Sequence, residues 1–396
     1  MRILLIGLSY SIHTARWISQ IVDQGWDLHL FPSRDSGVIH PDLRNVTIYH
    51  SLYGKRNRGK GNVRFRGLPV ISETVAFLGR GFLKTYFPKY RVIQLRRVVE
   101  RVKPDIIHSM EIQAAGYLTL EAKKRFHGKF PPCIVTNWGS DIYLFGRLSK
   151  HETKIKDLLA QFDFYSCECS RDVELARSLG FRGEVLPVFP NAGGFDLQLI
   201  EDLKLPGKTS ERRSIMLKGY QGWAGRSLVG IRALGRCAEI LENYEILIYS
   251  ASEDVEIAAE LLSKSTGIPI TIIPWYTPHC EMLKMFGKSR ISIGLSISDA
   301  ISTSLLDAIA MGSFPIQSWT SCADEWIEDG VTGILVPPED PEVIEQAIRK
   351  ALSLDDLVNR AADINSQTTK QRLDYKILKQ KTIDMYEHVY SKILSC

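Results

Sequence analysis

Two hydrophobic patterns alternate along the chain. Short unbroken apolar runs recur, and each gives way to a stretch in which apolar residues return every three or four positions. Residues 3–8 form such a run, as expected of a strand buried on both faces. Residues 14–24 follow as a helix, with Ala15, Ile18 and Val22 on one side and Gly25 as the stop. Residues 27–31 read as a second strand, and further strand–helix pairs begin near Ile106, Ile134, Phe164 and Glu184. This order predicts a parallel sheet with helices on both faces.

The rhythm pauses between Pro187 and Arg213, where PVFPNAGGFD is rich in turn formers and LKLPGKTSERRS is polar. It then restarts, with strands over 215–218, 244–249, 270–273 and 291–295, helices over 226–241 and 255–262, and continuation to Leu335. The prediction is an α/β chain of two doubly wound, Rossmann-like domains, residues 1–195 and 196–396, with parallel sheets facing an interdomain cleft. Ligands are expected at the carboxyl ends of the strands. Residues 51–69 read as a long mobile loop. Residues 370–394 carry one helical pattern, whose part from 375 to 394 is expected to pack back on the first domain.

Composition changes little in this picture. The chain has 396 residues, 44% hydrophobic and 24% charged, enough for a core in each domain and unlike a disordered chain. Seven cysteines at 133, 167, 169, 237, 280, 322 and 396 have no zinc or redox spacing and read as reduced thiols of a cytoplasmic protein. No apolar run reaches the length of a membrane span, and the N-terminus reads as a buried strand rather than a signal peptide.

Charge changes it more. From Gly54 to Lys103 there are fourteen Lys or Arg against Glu73 and Glu100, a net +12 within a chain of +5, which leaves the remainder at −7. Inside this window VAFLGRGFLKTYFP interleaves aromatic, aliphatic and basic residues. The expected partner of region 54–103 is an anionic membrane surface, with a solvated basic face as the other reading. No nucleic-acid module is present, so nucleic acid is not expected.

The densest chemical signal is ISIGLSISDAISTSLLDAIAMGSFPIQSWTSCADEWIEDGVTGILVPP, from Ile291 to Pro338. A buried strand empties into a polar loop, and a helix starts near Thr303 with Ser302 as N-cap. Backbone N–H groups and the helix dipole favour an anion there. Asp299 lies in the loop and Asp307 in the helix, so one carboxylate can flank each side of a bound phosphate. The alternative is that both are solvent-facing acids. Earlier, Lys218-Gly219 ends a strand and Arg226 starts a helix, either as a phosphate clamp suited to bidentate contact or as a solvated helix-start arginine. His108 ends a strand, either to meet substrate or as a core histidine. Trp138-Gly139-Ser140-Asp141 ends the next, with Asp141 as an acceptor-binding or proton-accepting group or a helix N-cap. The loop after the first strand holds Ser11 and His13 and lacks the glycine fingerprint of a dinucleotide site.

The segment 290–350 resembles the signature region of family 4 retaining glycosyltransferases, which have the GT-B fold. Their two acids, separated by seven residues, match Asp299 and Asp307, the second within Leu306-Asp307-Ala308-Ile309-Ala310. Gly312, Pro315, Glu325, Gly330, Gly333 and Leu335-Val336-Pro337-Pro338 follow in the family's order. The family usually has Glu at both acid positions. Aspartate is shorter by a methylene, which implies a tighter site or a contact through water.

The resemblance implies that Asp307 binds the donor ribose and Asp299 the transferred sugar. It implies that amides near Ala300, Ile301, Ser302 and Thr303 hold the diphosphate, with Arg226, Lys218 and Gly219 beside them. Tyr220 stands where the family has an arginine. Asp299 of the second domain and Asp141 and His108 of the first are the catalytic candidates, and Ser11, His13, Trp138 and Gly139 line the acceptor side. The implied activity is transfer of a sugar from a nucleotide sugar to a glycan or lipid-linked acceptor in cell-envelope polysaccharide biosynthesis, in the EC 2.4 class. Retention of configuration, no metal and no cofactor are implied. The thiols and the basic 54–103 region add an expected place in the cytoplasm, peripheral on the inner face of the membrane. Front-face substitution is the family's mechanism, with little for the protein to do beyond positioning and charge stabilisation. A non-catalytic nucleotide-sugar-binding subunit and a sugar-nucleotide epimerase remain the alternatives.

Overall fold

The apolar runs become strands. In the computed structural model, which describes residues 1–54 and 61–395, β1 (Arg2–Gly7) has Ile3 to Ile6 wholly buried. It lies between β2 (Asp27–Pro32) and a later strand, as a parallel sheet with helical crossovers requires. The remaining strands of this sheet are β3 (Thr47–Gly54), β4 (Arg64–Val70), β5 (Ile106–Ser109), β6 (Cys133–Thr136), β7 (Phe164–Ser166) and β8 (Glu184–Val185). All pairs are parallel, in the order β4-β3-β2-β1-β5-β6-β7-β8.

The second sheet holds β9 (Ser214–Lys218), β10 (Glu245–Tyr249), β11 (Ile270–Ile273), β12 (Ser289–Gly294), β13 (Phe314–Ser318) and β14 (Ile334–Val336). It is parallel throughout, in the order β11-β10-β9-β12-β13-β14. The chain divides into two units: Met1–Gly193 with Leu378–Cys396, and Gly194–Ile377. Each has its own core. In the first, Leu4, Ile6, Ile107 and Val135 of the sheet meet Leu95, Leu120 and Leu158 of the helices. In the second, Ile215, Leu217, Ile248 and Ile293 meet Leu234, Val255 and Ile348. Each such side chain contributes about 1.5–3 kcal/mol by leaving water.

Two expectations fail. Residues 51–69 do not form one loop: residues 51–54 belong to β3 and 64–69 to β4, while the expectation for 55–60 lies outside the described residues. β4 escapes the apolar-run pattern because it is an edge strand, largely exposed, with Arg64 and Arg66 in it. It also carries Gly67 at φ 138°, where a Cβ would fall 2.1 Å from the His50 carbonyl oxygen, an approach only glycine permits. The C-terminal pattern is not one helix either. Asp355–Arg372 and Tyr375–Ser395 are separate helices. Between them the backbone of Phe195 pairs with the chain: its N–H donates to the Leu373 carbonyl at 2.7 Å, and its carbonyl accepts from Tyr375 N at 2.9 Å. Of the last helix, Leu378, Met385, Tyr386 and Val389 are buried.

None of the cysteines at 133, 167, 169, 237, 280 and 322 is in a disulfide. No helix among the described residues is long and apolar enough to cross a membrane.

Candidate functional site

In the second sheet, β9 has β10 on one side and β12 on the other, so the chain's crossovers leave it in opposite directions. The carboxyl end of such a pair is open to a ligand. Lys218 ends β9 there. Its Nζ donates to Ser302 Oγ at 3.2 Å and lies 3.9 Å from Asp299 Oδ2. Gly219 then turns the chain, its N–H donating to the Tyr249 carbonyl at 2.7 Å. A Cβ on Gly219 would sit 2.8 Å from Ala251 Cα and 2.9 Å from the Tyr249 oxygen, so the turn excludes any side chain.

The segment after Gly219 is fastened to the loop that follows β12. Arg226 N donates to Leu295 O at 3.1 Å, and Ile297 N donates to Ala224 O at 2.9 Å. That loop leads into the helix Thr303–Ala310. Ala300 and Ile301 are buried, and Ala300 N donates to Asp299 Oδ1 at 3.0 Å. Ser302 takes the extended N-cap backbone, φ −66° and ψ 119°. Its hydroxyl serves Lys218 and Ser304 (2.9 Å) rather than capping the helix. Thr303 begins a helix whose N-cap, Ser302, bonds the Lys218 ammonium, a setting that suits a phosphate.

Asp307 is buried one turn further in, and its Oδ1 lies 2.9 Å from His279 Nε2. His279 opens the helix His279–Lys288, and its ring stacks on Phe195 with centroids 6.4 Å apart. His279 is not marked by the sequence around it. Its only local signal is a lone histidine after Pro278, and its partner lies 28 positions away.

Arg226 differs from the clamp reading. Its Nε donates to Glu339 Oε1 at 2.8 Å and its Nη1 to the carbonyls of Gly225 (2.8 Å) and Gly222 (3.3 Å). The guanidinium therefore holds the loop together and has its charge matched by Glu339. Lys218 is the cation beside Asp299 and Ser302.

In the first sheet the crossovers reverse between β1 and β5. Ser11, in the loop after β1, caps the helix Ile12–Ile21 by accepting from His13 N at 3.2 Å. The His13 ring lies 5.4 Å from the Trp138 ring, so the loops after β1 and β6 come together. Gly139 turns the second loop at φ 77°. Asp141 follows, and Gly139, not Asp141, is the N-cap of the short helix. The Asp141 Oδ2 accepts from Trp138 N at 3.0 Å and Ile112 N at 3.3 Å. Burial pushes its carboxyl up to about 7, and the nearby Glu111 charge adds to this. The two backbone N–H groups pull the other way. A carboxyl that exchanges its proton near neutrality suits acid–base work.

His108 is a correction to the substrate-facing reading. It is wholly buried, with Nδ1 2.6 Å from the Tyr386 hydroxyl and Nε2 2.6 Å from Thr136 Oγ1. The same hydroxyl accepts from Trp17 Nε1 at 2.9 Å. Burial pushes the imidazole down to about 3, so it stays neutral. His108 is a core histidine that ties the last helix to β5.

Comparisons with known proteins bear on the same segments. The family model described as "Glycosyl transferases group 1" matches residues 235–371, and "Glycosyl transferase 4-like" matches residues 73–168. Sucrose-phosphate synthase from Thermosynechococcus elongatus superposes with a TM-score of 0.71 at 14% identity, over 99% of this chain and 100% of that one. A glycosyltransferase from Rickettsia africae gives 0.67 at 14% identity, over 99% and 98%. HepE from Anabaena, in complex with UDP and glucose, gives 0.70 at 14% identity, over 98% and 100%. The comparison with curated proteins found no match. With two parallel-sheet units, both family matches and these neighbours, the chain belongs to the GT-B glycosyltransferases of the family 4 type.

Proposed function

We propose that the protein transfers a sugar from a nucleoside-diphosphate sugar to a glycan or lipid-linked acceptor, with retention of anomeric configuration. The observation that carries this reading is Lys218 beside Ser302 and Asp299, at the start of the helix Thr303–Ala310 and the switch point of the second sheet. A diphosphate bound there meets an ammonium group and helix N–H groups together. Asp307, oriented by His279, accepts hydrogen bonds from the ribose hydroxyls. Asp299 accepts from hydroxyls of the transferred sugar.

In the reaction the acceptor oxygen attacks the anomeric carbon from the face the diphosphate leaves. The carbon–oxygen bond to the diphosphate breaks, and the acceptor's proton passes to the departing phosphate oxygen. Lys218 and the helix amides stabilise the charge that develops on that leaving group. No metal is required. On the acceptor side, His13, Trp138 and Gly139 form the rim, and Asp141 binds the acceptor hydroxyl. The complex of HepE with UDP supports UDP as the first donor base to try. The reading places the protein in the cytoplasm, in envelope-glycan synthesis.

Thermal unfolding with UDP, GDP and ADP tests this. A nucleotide at a hundred times its Kd stabilises the folded protein by about 2.7 kcal/mol. One base is expected to raise the midpoint, and Lys218→Met is expected to abolish the rise. No shift with any nucleotide overturns the proposal. Sugar-nucleotide conversion without an acceptor would replace it with an epimerase.

A further inference from the structure

The helix Glu73–Tyr86 has its hydrophobic side outward. The side that touches the sheet consists of Ala76 and Arg80, buried, with Gly79 and Leu83 half-buried. Arg80 Nη1 donates to the Leu52 carbonyl of β3 at 2.7 Å, and Gly79 lies over the Leu52 side chain. Away from the sheet Val75, Leu78 (65% exposed), Phe82 (56%) and Tyr86 (67%) face solvent along one stripe, and Phe77 (68%) is exposed on the other flank of the helix. The rings of Phe82 and Tyr86 are 4.6 Å apart. Phe87, Ile71 and Leu68 are exposed just beyond the helix. A helix resting on a sheet would ordinarily reverse these faces. Single exposed apolar residues are common, but a contiguous set marks a contact surface.

Charge decides what that surface meets. Lys84 on the helix, Lys89 after it, and Arg64 and Arg66 on β4 are all exposed. The nearest acid, Glu73, is already engaged: Oε1 accepts from Gly54 N at 2.7 Å, and Oε2 lies 3.7 Å from Arg80 Nη2. A second copy across a two-fold axis would bring two such basic rims together, which repel. A nucleic acid would match the rim but leave the aromatic face in water. A membrane of anionic lipid matches both, since apolar side chains enter the acyl boundary while lysines and arginines meet headgroups.

We propose that the outward face of Glu73–Tyr86, with its basic rim, is a docking surface for an anionic lipid bilayer, on which the helix lies in the plane of the interface. The surface is independent of the transfer chemistry, so its failure leaves the donor site standing. The test is sedimentation of the full chain with vesicles of phosphatidylcholine alone and of phosphatidylcholine with about 30% phosphatidylglycerol, at low and high salt. Wild type is expected to pellet with the anionic vesicles at low salt and to be released at high salt. Each lost cation near the surface weakens binding by about fivefold. Lys84→Ala/Lys89→Ala is therefore expected to weaken it by about twenty-fivefold, and Phe77→Asp/Phe82→Asp to abolish it. All four side chains are exposed, and unchanged circular dichroism confirms that the variants fold. No binding of wild type to anionic vesicles overturns the proposal, as does binding indifferent to the phenylalanine pair. A dimer in sedimentation velocity that the phenylalanine pair breaks, without vesicle binding, assigns the face to self-association instead.

Discussion

Replacing Asp141 by asparagine is expected to stabilise the protein against alkali. The carboxyl sits near an unfolded value of about 3.9 once exposed and is held up at about 7 in the fold by burial and by Glu111. The folded chain therefore keeps a proton that the unfolded chain has released, and stability falls as pH rises from about 4 to about 7. That cost is about 2 kcal/mol at pH 5 and about 4 kcal/mol at pH 9. The asparagine side chain would keep an oxygen for the Trp138 and Ile112 N–H groups but cannot ionise. Relative to wild type, Asp141→Asn should gain about 2 kcal/mol between pH 5 and pH 9. With urea slopes of about 1–3 kcal/mol per molar, this moves the midpoint by about 1 M. Urea unfolding of both proteins at pH 5, 7 and 9, followed by circular dichroism, measures it. Parallel pH profiles would refute the claim that Asp141 holds its proton in the fold.

Three more outcomes are open to measurement. His279→Ala leaves the buried Asp307 carboxylate without its ring partner and should cost about 1–3 kcal/mol. It should also weaken nucleotide binding in calorimetry, with His279→Asn restoring part of both. Tyr386→Phe takes a partner from Trp17 Nε1 and from His108 Nδ1 at once and should cost at least about 2 kcal/mol in urea unfolding. Donor affinity should be unchanged, because none of these three residues lies in the second unit. Gly219→Ala forces the turn after β9 against the backbone of Ala251 and should cost about 1–3 kcal/mol in the same assay.

The parallel sheets were legible because a strand buried on both faces needs an unbroken apolar run, and Ile3–Ile6 and Ile215–Leu217 each supply one. β4 was not legible, since an edge strand with little burial has no reason to be apolar. The break at Leu373 was hidden for another reason: the backbone that interrupts the helical pattern belongs to Phe195, far away in the chain. The site divided along the same line. The loop and helix from Asp299 to Asp307 are local, so their residues could be read together. His279, the Glu339 partner of Arg226 and the Tyr386 partner of His108 lie 28, 113 and 278 positions off. Local spacing carries no record of them. Burial of His108 follows from a helix that closes over it, which strand-end position alone does not reveal.

The last helix gives this chain an order of assembly. The second unit, Gly194–Ile377, is continuous and has all its residues before that helix is made. The first unit begins at Met1 yet needs Tyr386, whose hydroxyl joins Trp17 across 369 residues and His108 across 278. A nascent chain emerging N-terminus first would lack the partner of Trp17 Nε1 and His108 Nδ1 until the helix around Tyr386 left the ribosome. Chains cut short near residue 377 would therefore keep an intact second unit and an unfinished first one.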